Sequence, residues 1–176
     1  MLIAAIAYDP SRNLGRAYND VMRRLDDDDW ACFIDHDAMF TTRDWYHQLT
    51  RVAELMPAVG LFTCVTNRIG NQEQIATGCP LSHDIIAHRI YGQVRADKYG
   101  YGYRSAQYPI SGVMMMLSKR VWMMTGGFKN GFLGVDNAMH RSVRDIGKEV
   151  AILEGVYVYH WYRADGKGHP GAMAAR

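Results

Sequence analysis

Asp35-His36-Asp37 is the feature of this chain with the most chemical content. Two carboxylates two residues apart follow residues 30–34, an apolar run that reads as a buried strand. Carboxylates at the end of such a strand are costly unless a positive group neutralises them. The ends of parallel strands are also where open α/β sheets place ligands. A hard divalent cation held through carboxylate oxygens is the natural partner, and Mg²⁺ or Mn²⁺ would in turn hold phosphate oxygens. Acid-x-acid triplets also occur as loop acids and helix caps, so the other segments have to supply context. Asp136 stands where a helix opens, a place where the helix dipole favours an acid in any case. His160 follows an apolar run and sits among Tyr159, Trp161 and Tyr162, an environment that also suits a buried, hydrogen-bonded histidine.

The elements that must position these residues alternate in type. Residues 2–8 read as a strand ending at Asp9-Pro10, and from Arg16 the spacing of Ala17, Tyr18, Val21, Met22 and Leu25 is helical. The acidic run 26–29 reads as a solvated turn. After the strand 30–34, Trp45, Leu49, Val52, Ala53 and Met56 mark a helix with Asp44 or Thr42 as cap, and residues 59–66 a third strand. Strand, helix, strand, helix, strand predicts an α/β fold with a mostly parallel sheet flanked by helices. Residues 67–78 read as a loop, 82–91 as a helix, 112–117 as a strand, and Ser118 as the cap of a short helix stopping at Gly126-Gly127. A helix from about 136 to 146 ends at Gly147, and residues 150–159 form a last strand. One domain over residues 1–163 is expected, with a mobile Gly/Ala-rich tail over 164–176.

Composition narrows the function classes. The chain has 176 residues, 48% of them hydrophobic and 22% charged, which argues against intrinsic disorder. A net charge of +2 without any dense Lys/Arg run gives no nucleic-acid surface. No apolar run reaches membrane length, so a soluble, cytoplasmic protein is expected. Cys32, Cys64 and Cys79 lack metal-type spacing and read as reduced core thiols. His83, His88 and His140 lie on helical patterns and read as surface or packing residues, and Arg68 and residues 72–74 as surface loop.

Four segments together resemble family 2 and related GT-A glycosyltransferases. Asp35-His36-Asp37 after its strand is similar to that family's acid-x-acid motif. Asn13-Leu14-Gly15-Arg16-Ala17-Tyr18-Asn19 is similar to its Asn-x-Gly…Ala-x-Asn element, and Gly126-Gly127-Phe128, Val135-Asp136 and Gly147 follow its Gly-Gly-Phe, Glu-Asp and Gly layout. Val158-Tyr159-His160 is similar to its late strand and histidine. The resemblance covers residues 2–163 and implies a GT-A fold in shortened form. The family's extra strand and helix between the first strand and the Asn-x-Gly element are missing, and Val135 stands in place of its Glu.

The resemblance further implies a metal-dependent transfer of a sugar from a nucleotide diphosphate donor, UDP being favoured, to a hydroxyl of a glycan, lipid or protein acceptor. Asp35, Asp37 and His160 would hold the metal, with the imidazole favouring Mn²⁺ over Mg²⁺. Tyr8, Asp9, Asn13 and Asp35 would contact base, ribose and sugar, and Arg163, with Lys167 beyond it, would pair with the diphosphate. Asp136 would be the general base of an inverting displacement. A retaining transferase, a nucleotidyltransferase, and a non-catalytic nucleotide-sugar or glycan-binding domain are the alternatives. Asn13 also has the chemistry of a plain helix cap.

Overall fold

Every residue from Val59 to Thr66 is buried, which happens only to a strand covered on both faces. That strand sits in the middle of a seven-stranded sheet. The computed structural model describes residues 1–161. Its elements are β1 (Leu2–Ala5), α1 (Leu14–Arg23), β2 (Trp30–Ile34), β3 (Ala38–Phe40), α2 (Trp45–Leu55), β4 (Val59–Thr66), α3 (Ile85–Tyr99), β5 (Tyr103–Ser105), β6 (Met114–Ser118), α4 (Lys119–Met124), α5 (Val135–Asp145) and β7 (Glu149–His160), with a 3₁₀ turn at Gln72–Gln74 between β4 and α3. The strand order is β1-β2-β6-β4-β7-β3, and β5 pairs with β7 beside that path.

The sheet is flanked by helices, as the alternation of elements predicts, and its strand directions are mixed. β1 and β2 pair in parallel, as do β4 and β7. β6 lies antiparallel between β2 and β4, so β1, β2, β4 and β7 all run one way. The short β3 and β5 run against β7. The C-terminal ends of β2, β4 and β7 therefore share one edge, where Asp35, Asn67 and His160 emerge.

Alternate side chains feed two cores. Ala31, Phe33, Met115, Leu117, Val150 and Ile152 pack on one face under Tyr18 and Met22 of α1, Val121 of α4, and Met139 and Val143 of α5. Cys32, Met114, Met116, Ala151 and Leu153 pack on the other under Leu49 and Val52 of α2. The three cysteines are free; Cys32 and Cys64 are buried core residues, whereas Cys79 is only half-buried.

Local signals explain most helix ends. The Ser118 hydroxyl accepts from the Val121 N–H, capping α4, and Gly147 takes φ +73° beyond α5. The acidic turn departs from expectation at one position: Asp29 is buried, accepting from the Met1 amino group and the Asp26 N–H. α3 is longer than the predicted 82–91 and inverted in polarity. Its buried face carries His88, Gly92 and Arg95, while Ile86, Ile90 and Val94 are exposed. Gly92 is what lets it approach: a Cβ there would fall 2.0 Å from the Thr41 Oγ1. Among the described residues no helix is long and apolar enough to cross a membrane.

Candidate metal and catalytic site

The turn between β2 and β3 is held at both ends. The Asp35 N–H donates to the Val113 carbonyl at 3.0 Å, the Ala38 N–H returns to the Asp35 carbonyl at 3.1 Å, and the Trp161 N–H donates to the Asp37 carbonyl at 2.9 Å. Pairing of Ala38 with His160 brings the turn against the end of β7. Asp35, Asp37 and His160 thus converge, each offering one ligand atom, all within 4.8 Å of one another. His160 Nε2 lies 3.3 Å from Asp37 Oδ1 and 3.8 Å from Asp35 Oδ2.

The orientation of His160 is tightly set. Asn67 grips its backbone from both sides, accepting from its N–H at 2.8 Å and donating to its carbonyl at 3.2 Å. His160 Nδ1 is 2.8 Å from the Arg68 carbonyl, an atom that only accepts, so Nδ1 carries a proton. In the neutral ring the Nε2 lone pair then faces the two carboxylates. Burial pushes the His160 imidazole below its ordinary pKa, against the opposing pull of Asp37, and so disfavours the imidazolium that would otherwise satisfy them. Burial, with Asp37 next to it, raises the Asp35 carboxyl to about 6. Three acceptors aimed at one point, with a backbone carbonyl fixing the tautomer of the imidazole, suit a divalent cation.

Asp136 arrives from another direction. Gly134, at φ +71°, turns the chain into α5, and Asp136 lies in its first turn. Its Oδ2 accepts from the Gly112 N–H and its Oδ1 from the Asn137 N–H, both at 2.8 Å. Gly112 permits this approach, since a Cβ there would come 3.1 Å from the Asp136 Cβ. Asp35 and Asp136 line one cavity of about 150 Å³, together with Tyr18, Gly112 and the exposed Phe132 and Leu133. Burial and both carboxylates push the Tyr18 hydroxyl well above its ordinary pKa.

Of the remaining predicted contacts, Asp9 and Asn13 make structural hydrogen bonds. Tyr8 is exposed, in the link between β1 and α1. The Asp9 carboxylate accepts from Ser11 N–H and Oγ and from Arg16 Nε, and these bonds hold it down to about 2. Asn13 is the α1 cap: its Oδ1 accepts from Arg16 N–H at 3.0 Å and also from Gly131 N–H at 2.9 Å. None of these three lines the cavity. Arg163, like Lys167, lies outside the described residues. His88 is a packing residue, bonded to Tyr157 Oη and the Ser82 carbonyl, and His83 is exposed against Tyr159 and Trp161. His140 is a packing residue too, buried on α5.

Three residues important to the site's frame have no simple signal in the chain. Gln74, expected in a surface loop, is fully buried and ties Thr63 to Ser111. Asn67 is one polar residue in a loop. Asn19 lies inside the quoted motif, yet its part emerges only from the fold: buried, it accepts from Trp122 Nε1 and Phe128 N–H and donates to the Phe128 carbonyl. The Asn-x-Gly element and the Gly-Gly-Phe segment are therefore two halves of one joint. A Cβ at Gly15 would meet the Lys129 carbonyl oxygen at 1.8 Å, and one at Gly127 would meet Asn19 Oδ1 at 3.0 Å.

No protein-family model and no curated protein matches the sequence. Among solved structures the fold is similar to that of GalNAc-T7 crystallised with UDP, GalNAc and Mn²⁺, at a TM-score of 0.57 and 12% identity. The similarity covers 87% of this chain but 31% of that one, so the present chain spans about a third of its length. The shared architecture is of the GT-A type, a mixed sheet flanked by helices.

Proposed function

We propose that this chain is a metal-dependent glycosyltransferase domain that takes a sugar from a nucleotide diphosphate, UDP in preference, to an acceptor hydroxyl. The observation that carries this reading is the position of Asp35. It belongs to the Asp35, Asp37 and His160 group and also walls the cavity that Asp136 lines. A cation site and an independently positioned carboxylate thus open onto one space, large enough for reacting groups and partly screened from solvent.

Asp35, Asp37 and His160 would hold Mn²⁺, which when bound supplies positive charge to the diphosphate leaving group. Imidazole among the ligands favours Mn²⁺ over Mg²⁺. Asp136 receives the proton from the acceptor hydroxyl, which attacks the anomeric carbon and inverts it. Two backbone N–H groups aim the carboxylate, so it needs no rearrangement before it acts. Phe132 and Leu133 form the exposed lip of the cavity and cover the sugar from water. In this short form, base selectivity would rest on Tyr8 and its neighbours in the link between β1 and α1.

Calorimetric titration with UDP and other nucleoside diphosphates, in Mn²⁺ and in EDTA, tests the proposal. Manganese-dependent UDP binding that Asp37→Ala abolishes, with Asp136→Asn binding normally but turning over no donor, is the expected result. Equal binding with and without metal would refute the metal group, and full turnover by Asp136→Asn would refute the base.

A further inference from the structure

A second cavity, of about 290 Å³, lies away from the metal group, between α3, β5, β7 and the segment after the 3₁₀ turn. Glu154 on its wall is six residues along β7 from His160, roughly 20 Å of strand. Arg95, Lys98 and Arg104 line it with Glu154, Tyr99 and Thr77. Three cations face one carboxylate.

The geometry sharpens that imbalance. The Arg95 side chain is 8% exposed and that of Glu154 21%. Arg95 Nη2 reaches Glu154 Oε2 at 2.5 Å, while Arg104 Nε takes Oε1 of the same carboxylate. Arg95 Nε also donates to the Glu154 carbonyl at 3.0 Å, and its Nη1 to the Tyr91 hydroxyl at 3.2 Å. Arg104 Nη2 donates to the Glu73 carbonyl. Lys98 stands exposed at the rim with its ammonium 4.9 Å from the Tyr99 ring centre, and no carboxylate pairs with it among the described residues. One carboxylate is shared by two guanidinium groups, so with Lys98 the recess carries a net positive charge, part of it open to solvent and so accessible to an anion. Guanidinium N–H pairs and an ammonium around a recess are the donors that recognise phosphate oxygens.

We propose that this cavity is a binding site for a phosphate-class oxyanion, held by Arg104, Lys98 and Arg95 against the Tyr99 ring. It is independent of the metal group and of the donor-sugar reading. Glu154 competes with the ligand for the same guanidinium groups and so limits its affinity. The volume exceeds that of a bare ion, leaving room for the molecule that carries a phosphoryl group.

The test is titration of the full chain in EDTA with inorganic phosphate and, separately, with glucose 6-phosphate, read by calorimetry. EDTA keeps the metal group out of the measurement, so a failure here leaves the proposed transferase untouched. Saturable binding that Lys98→Gln and Arg104→Gln each weaken by about tenfold or more is expected, the worth of one charge-assisted hydrogen bond. Tighter glucose 6-phosphate binding identifies a phosphorylated sugar as the occupant; equal binding identifies free phosphate. Glu154→Gln tightens binding, a change of sign that a purely structural ion-pair cluster would not produce. If that variant does not fold, Lys98→Gln, altered only at the rim, decides the matter. Absence of binding, or binding unchanged in both cation variants, overturns the proposal.

Discussion

Asn19→Ala cuts the joint between α1 and the segment that leads to Asp136. It removes three hydrogen bonds at once: those from Trp122 Nε1 at 2.8 Å and Phe128 N–H at 2.9 Å, and that to the Phe128 carbonyl at 2.8 Å. Each neutral bond contributes about 1 kcal/mol net, so the loss begins near 3 kcal/mol. Asn19 and Phe128 are 7% and 4% exposed, and water reaches the stranded groups poorly. Their desolvation carries the expected destabilisation to about 3–5 kcal/mol. For a chain of this length that corresponds to a fall in Tm of about 6–20 °C. Urea denaturation followed by circular dichroism, parent against variant, gives the number directly. Gly15→Ala attacks the same joint sterically, because backbone at Lys129 blocks the new methyl group; it should cost about 2 kcal/mol or more. A loss below about 1 kcal/mol for Asn19→Ala would refute the assignment of this residue as the tie between the two segments.

Two further outcomes follow from the site's surroundings. Asn67→Ala leaves all three proposed ligands in place but releases the His160 backbone, and should weaken Mn²⁺ binding by about 10–100-fold in a competition titration. Asp9 is held at about 2 in the fold, below its ordinary 3.8, chiefly by its bonds from Ser11 and Arg16. Its contribution to stability is therefore full above about pH 4 and lost as pH falls towards about 2, because the unfolded chain takes up the proton first. Asp9→Asn should flatten the acid limb of a stability-versus-pH curve over that window; an unchanged limb would mean the Asp9–Arg16 pair contributes nothing.

What the chain discloses in advance is what its local chemistry controls. The apolar stripe of α1, the Ser118 cap and the Gly147 stop are all properties of neighbouring residues, and all are found where the pattern puts them. The same holds for the acid pair after β2. The reversed direction of β6 has no such signature, since Met114–Ser118 is as apolar as a parallel strand and its partners lie far away in sequence. α3 defeats periodicity for a different reason: its inward face is made of His88, Gly92 and Arg95, which bury polar groups by bonding them to Tyr157, Ser82 and Glu154. Asn13 shows how one residue type serves two readings. The cap it could always have been is what the fold uses, and its second acceptance, from Gly131, is visible only once distant segments meet.

The pairing of β3 with β7 also bears on the order in which the molecule is completed. Asp35 and Asp37 lie in the first quarter of the chain, while His160, its Asn67 grip and the Trp161 N–H that closes on Asp37 need the last strand to be in place. The contact of Asp35 and Asp37 with His160 is thus among the most non-local in the fold, and bringing its halves together carries a loop-closure cost that earlier contacts must already have offset. Before β7 is in place the acidic turn has its own His36 but not the His160 imidazole beside it. In the proposed metal site, competence to hold a cation therefore depends on the docking of β7, and cation affinity would report that docking step.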